Sequence, residues 1–169
     1  MAQRSLGRLY DVSVGFAPVD TQTGANTGKR VSLKHAGGVD FIFFKGAGTG
    51  SDDPVFTLQE HNASTGGTSQ NLAKIDTIHV KAATTLAGTE TWTKRTQAAA
   101  ATYTATGDAT KQAIYSIYVP ATSLSDTFSY VSLSVADTGS AGAQIGAMLY
   151  LLTDPAIQRV PANLPASLA

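Results

Sequence analysis

Chemistry in this chain would have to come from a few short stretches. Gly46-Ala47-Gly48-Thr49-Gly50 follows an apolar run, the place where a dinucleotide fingerprint sits. That fingerprint needs a third glycine three residues after the second, and a helix whose N-terminus receives the pyrophosphate. Position 51 is serine, and Pro54 and a strand-like run follow. The stretch is therefore expected to join two strands. Gly24 to Lys29 imitates a phosphate-binding loop but is one residue short between its glycines. Arg30 stands where a Ser or Thr would bind magnesium.

The histidines are His35, His61 and His79, none at zinc-ligand spacing, and there is no cysteine to complete a site. His79 falls on the polar side of its run, as a solvated or interfacial imidazole would. Asp52-Asp53, beside glycines, fits loop-capping carboxylates better than a calcium loop, whose spacing is absent. No G-x-S-x-G is present. Asn62-Ala63-Ser64 fits the glycosylation pattern, which carries meaning only in a secreted chain. Trp92 and Tyr103 could stack a sugar ring, the basis of a carbohydrate- or receptor-binding reading. Against that, the lone Trp is expected in the core. These patterns lead to an expectation of no enzyme, no metal and no cofactor.

The elements that would position these residues read as strands. Runs at 9–16, 30–34, 39–45, 55–61, 75–82, 90–96, 102–105, 111–120, 130–136 and 145–152 are β-branched or aromatic-rich, and several alternate apolar with polar. Residues 97–101 are ambiguous, because four alanines favour helix but are too few to stand alone. In 130–136, Val131, Leu133 and Val135 point one way, and Tyr130, Ser132 and Ser134 the other, toward solvent. Residues 39–44 and 145–152 are apolar on both faces, as expected of central strands covered on both sides. The 130–136 and 145–152 runs, joined by small residues, read as a hairpin. A weak echo relates 39–45 to 75–81 and is best taken as chance in a biased composition.

Strand runs at this spacing predict an all-β fold, a β-sandwich with a jelly roll as one form open to it. The predicted organisation is an N-terminal arm (1–8), a sandwich domain (9–153) and a Pro-rich C-terminal tail (154–169). Pro155, Pro161 and Pro165 exclude regular helix or central strand from that tail.

Composition narrows the partners. In 169 residues, 12 basic and 12 acidic side chains cancel, so nothing attracts nucleic acid over the whole surface. Only 14% of residues are charged, against roughly 25% in typical domains. Charge is depleted at interface cores, so the surface suits contact with other subunits. The apolar runs fall short of a ~20-residue membrane span, and the first residues lack a signal peptide's apolar region.

Two stretches carry a resemblance. V-S-L-S-V-A-D-T-G-S-A-G-A-Q-I-G-A-M-L-Y-L-L-T-D, at 131–154, resembles the C-terminal segment of small virion proteins of tailed bacteriophages. F-T-L-Q-E-H-N-A-S-T-G-G-T-S-Q-N-L, at 56–72, is a second such stretch. The resemblance implies a structural role as a capsid decoration, or cement, protein on the virion surface, assembled in the host cytoplasm. It implies the major capsid protein and further copies of the chain as partners, with a trimer favoured, and no nucleic acid or membrane. The alternative is a tail-associated or carbohydrate- and receptor-binding β-sandwich module. The interface residues expected from the unpatterned ends are Arg4, Arg8, Ile157, Arg159, Val160, Leu164 and Leu168.

Overall fold

The computed structural model describes residues 9–139, 142–157 and 166. The arm at 1–8 and most of the tail after 157 lie outside the described residues. Strands make up 51% of the structure, with no α-helix among the described residues. Two antiparallel sheets pack face to face, so the all-β sandwich expected from the sequence is the fold.

Eleven strands follow in chain order: β1 (Tyr10–Asp20), β2 (Val31–Ser32), β3 (Gly38–Lys45), β4 (Val55–His61), β5 (Ser69–Asn71), β6 (Ile75–Ala83), β7 (Thr93–Ala100), β8 (Thr102–Thr104), β9 (Gln112–Pro120), β10 (Tyr130–Val135) and β11 (Ile145–Thr153). The larger sheet has the order β1-β11-β3-β9-β6-β7, and the smaller β2-β10-β4-β5, with β8 also pairing β4. From β1 to β4, and again from β8 to β11, successive strands alternate between sheets. The orders β1-β11-β3-β9 and β2-β10-β4-β8 are those of a jelly roll. The hairpin β6–β7 widens one edge of the larger sheet. Short β5 returns along the same strand, β4, that β8 pairs further back.

The core follows from period-2 alternation. Val39, Phe41 and Phe43 of β3, Tyr115 and Ile117 of β9, and Met148 and Tyr150 of β11 face inward from one sheet. Phe56 and Leu58 of β4 and Val131, Leu133 and Val135 of β10 face them from the other. Rings interlock across the gap, with Phe43 edge-on to Phe56 at 5.4 Å. Each such side chain, fully buried, contributes roughly 1.5–3 kcal/mol.

The structure corrects several expectations. β10 and β11 are not a hairpin, because they lie in different sheets, each between its own two neighbours. Alternation fixes which side of a strand faces the core, but not which sheet it joins. The 136–144 link crosses between the layers. Thr138 N–H donates to the Thr21 carbonyl (3.1 Å), and Thr21 Oγ1 donates to the Gln144 carbonyl (2.9 Å). Ser132 lies opposite Leu133 as expected, yet it is buried rather than solvated. Of the ambiguous alanines, all but Ala101 belong to β7, and the expected long loop at 62–72 contains β5. The 39–45 and 75–81 echo has no structural counterpart, since Ile42 points outward while Ile78 points inward.

The end of the chain is tied down as far as 156. Gly37 N–H donates to the carbonyls of Thr153 and Asp154, and Ala156 N–H to that of His35 (2.8 Å). Asp154 takes a left-handed φ of 49°, which turns the chain off the end of β11 and across the start of β3.

Candidate functional site

The broadest unusual feature is the outer face of the larger sheet. On β1 it presents Tyr10, Val12 and Val14. On β11, Ile145, Ala147, Leu149 and Leu151 follow, and on β3, Ile42 and Phe44. On β9 come Ile114 and Tyr118. The register makes these one surface: Val14 pairs Leu149, which pairs Ile42, and Ala147 pairs Phe44, which pairs Ile114. Seven of these side chains are 39–51% exposed. The expectation that β3 and β11 are covered on both faces is therefore corrected. Both are interior strands of their sheet, but no layer of the described structure lies over their outer side.

Local sequence explains the facing of β1. A register shift between Val14 and Phe16 turns Phe16 inward, where its ring packs on Phe43 at 6.0 Å. Tyr10, Val12 and Val14, before the shift, stay on the outer side.

Charge is nearly absent from this face. Asp40 lies among the apolar rows, and Asp20 of β1 pairs Ile145 at their end. Asp40 accepts the Ser116 hydroxyl at 2.9 and 3.0 Å on its two oxygens. Burial raises its pKa, against the opposing effects of Ser116 and His79. Lysines sit instead at the β6–β7 margin, with Lys94 beside His79 in register and Lys81 over the Trp92 ring at 5.2 Å.

The buried polar groups elsewhere hold loops. Lys45 Nζ, fully buried, donates to the carbonyls of Gly46, Ala109 and Lys111 at 2.8–3.2 Å. Desolvation lowers its pKa to about 8, with Asp108 and Asp53 opposing. Asp53 accepts the N–H groups of Gly107, Asp108 and Ala109, and Asp52 accepts Thr49 and Gln22, so both carboxylates cap loops as expected. Asp108 accepts from Arg95, Lys111 and Tyr115. Burial would raise its pKa, but these three donors outweigh burial and hold it low.

His61 is the most enclosed imidazole. Its Nδ1 lies 2.8 Å from Ser69 Oγ, and its Nε2 2.8 Å from Ser132 Oγ. Desolvation, with Arg30 nearby, lowers its pKa to about 4, so the ring is neutral at pH 7. Ser132 is itself buried, while Ser69 is exposed and also accepts from Arg30 at 3.1 Å. Among the described residues, no three His, Asp or Glu side chains group as metal ligands.

Of the expected interface residues, Ile157 is 61% exposed just past β11. Arg4, Arg8, Arg159, Val160, Leu164 and Leu168 lie outside the described residues. Trp92 is half exposed rather than in the core, and Tyr103 is buried, stacked on Phe56 at 6.1 Å. The two do not form a shared platform. Trp92 precedes β7, an edge strand with no fully buried residue, and its ring lies against Lys81 instead.

No family model, curated protein or solved structure matches the chain. The two stretches that carry the phage resemblance are neighbours in space. β4 and β10 pair continuously, from Phe56 with Val135 to His61 with Tyr130. The apolar outer face was missed from sequence although its signal was present. Among the described residues, a two-layer sandwich with no α-helix leaves an outward apolar row uncovered.

Proposed function

We propose that this protein is a structural component of a tailed-phage virion that binds the outside of the capsid and stabilises the shell. The observation that carries the assembly role is the outer face of the larger sheet, apolar across four strands and nearly free of charge. Apolar patches of that extent mark interaction surfaces. The phage and capsid part rests on the resemblance at 56–72 and 131–154. Its support is that both stretches contribute to one hydrogen-bonded ladder, a coherent unit rather than scattered matches.

In this reading, the sandwich is a rigid body and the ends of the chain add grip. Ile157 leaves the domain exposed, and Val160, Leu164 and Leu168 follow it at intervals broken by Pro161 and Pro165. Prolines limit the free chain's conformations, so less entropy is lost when such a segment docks. Arg4, Arg8 and Arg159 as exposed ion pairs would add little. Many copies on a symmetric shell multiply weak contacts by avidity.

The test uses capsids lacking this protein, with purified full-length chain added back. Saturable binding and a higher temperature of shell rupture are expected. Removing 158–169 leaves the contacts of Asp154 and Ala156 intact and should weaken binding while the domain stays folded. If capsids never take up the protein, or virions carry it only in the tail, the capsid reading is wrong. If uptake occurs but truncation changes nothing, the tail has no part in it.

A further inference from the structure

We propose that the apolar outer face of the larger sheet is a contact between two copies of this chain. The copies pack back to back, with β11 and β3 of one over the same strands of the other. This gives the face that carries the assembly role to a second copy and leaves contact with the capsid to the ends of the chain and the other surfaces, so it does not depend on the capsid reading.

Area is the first argument. The seven exposed side chains centre on Val14, Leu149 and Phe44 and are 39–51% exposed. At roughly 60–110 Å² each they present on the order of 600 Å², before half-buried Ile42, Ile114 and Leu151 are added. A standard interface covers about 800 Å² on each partner. The same patch stands at the upper end of what a solitary monomer shows, about 300–600 Å².

Charge identifies the occupant. Twelve cations and twelve anions leave no net charge to keep copies apart. The face offers an unlike partner almost nothing electrostatic to read. Its carboxylates are already bonded, Asp40 to the Ser116 hydroxyl and Asp20 to the N–H groups of Gln22 and Gln144. A second copy needs no such signal, because the same apolar rows match themselves. The lysines of this face, Lys81 and Lys94, and the His79 imidazole sit on β6 and β7, away from β11 and β3. Stacking centred on β11 and β3 leaves them at a polar rim.

Geometry fixes the symmetry. Twisted sheets pack face to face with their strands roughly aligned, about 10 Å apart. A face meeting its own copy closes as a two-fold pair, whereas a three-fold ring joins two different patches. The contact therefore gives a dimer, in contrast to the trimer the resemblance implies.

The experiment is sedimentation of the full-length chain, without capsids, from about 1 to 100 µM. The expected mass is twice 17.4 kDa. Leu149→Lys should raise the dissociation constant by ~100-fold or more and leave the circular dichroism spectrum unchanged. Gln59→Lys, on the outer face of the smaller sheet, should leave the dimer intact. If Leu149→Lys fails to fold, Val12→Lys on β1 takes its place. A monomer throughout the range overturns the proposal, as does a trimer or a dimer indifferent to a folded Leu149→Lys or Val12→Lys variant. Because no capsid is present, failure here leaves the capsid reading standing, and failed capsid uptake leaves this contact standing.

Discussion

The two outer faces of the sandwich are built from the same strand geometry and meet opposite fates. On the smaller sheet the outward side chains are Thr57, Gln59 and His61 of β4, with Tyr130, Ser132 and Ser134 of β10. Their polar atoms find partners nearby: Gln59 with Asn71, and His61 with Ser69 and Ser132. Arg30 reaches over this end and donates to the carbonyls of Ala63 and Gly66. On the larger sheet the outward side chains of β1, β11, β3 and β9 are mostly Val, Leu, Ile, Phe and Tyr, and none of the described residues lies above them. One face is satisfied within its own chain, while the other gains only when something else covers it. Folding stability should therefore depend on the first face, and association on the second.

The largest effect should come from the interior that both faces enclose. Leu133→Asp puts a charge where the side chain is fully buried between the sheets, and the domain should be unfolded at 25 °C. Ser132→Asp, one residue earlier and facing the other way, tests the polar outer face. Ser132 is buried against His61, so the change should cost about 2–4 kcal/mol by urea denaturation. A cost near zero would show that this outer face is open to water, and the contrast with Leu149 below would lose its ground.

A smaller effect is expected from pH. The folded His61 has its pKa lowered to about 4, from 6.5, chiefly by burial. A group with a depressed folded pKa contributes stability that is present above its unfolded pKa and lost as pH falls through the folded one. Stability should therefore decline as pH drops from about 6.5 toward about 4. Asp108 and Glu60 have lowered values too, so their losses fall at the acid end of that range and below it. His61→Gln, if folded, should flatten the slope between pH 6 and 4.5, taken as approximate bounds. An unchanged slope would mean that His61 is not held neutral, and that the outer face of the smaller sheet is looser than its hydrogen bonds imply.

Sequence made the class of fold legible, because β-branched and aromatic runs with period-2 alternation have few other outcomes. It placed Val131, Leu133, Ile78, Val80, Phe56 and Leu58 inward correctly. It did not give partners: β10 and β11 look like a hairpin, but jelly-roll order depends on contacts far apart in the chain. Ser132 misled because polarity in a strand signals which side it faces, and only the covering loop decides whether that side is wet. The apolar face misled for the converse reason. Residues 145–152 are apolar on both sides, which in a parallel sheet means helices on both faces. Here there are no α-helices among the described residues, so the same pattern marks a surface. Trp92 went the same way, placed by composition in a core that its position before β7 does not reach.

The smallest expected effect is the most direct measure of the difference between the faces. Leu149→Ser removes an apolar side chain that is already 41% exposed and that packs only along its own sheet. At low protein concentration, where copies are apart, the variant should unfold within about 0.5 kcal/mol of the parent. At high concentration the two should diverge. Anything that binds only the folded chain raises its melting temperature by mass action. The parent's melting temperature should therefore climb with its own concentration, while that of Leu149→Ser climbs less or stays flat. The corresponding change on the smaller sheet, Thr57→Ser, should leave the concentration dependence as it is in the parent. If the parent's melting temperature is independent of concentration, the apolar face is not covered by a second copy. If Leu149→Ser costs several kcal/mol even when dilute, Leu149 belongs to the fold and not to a surface, and the two faces differ less than their residues suggest.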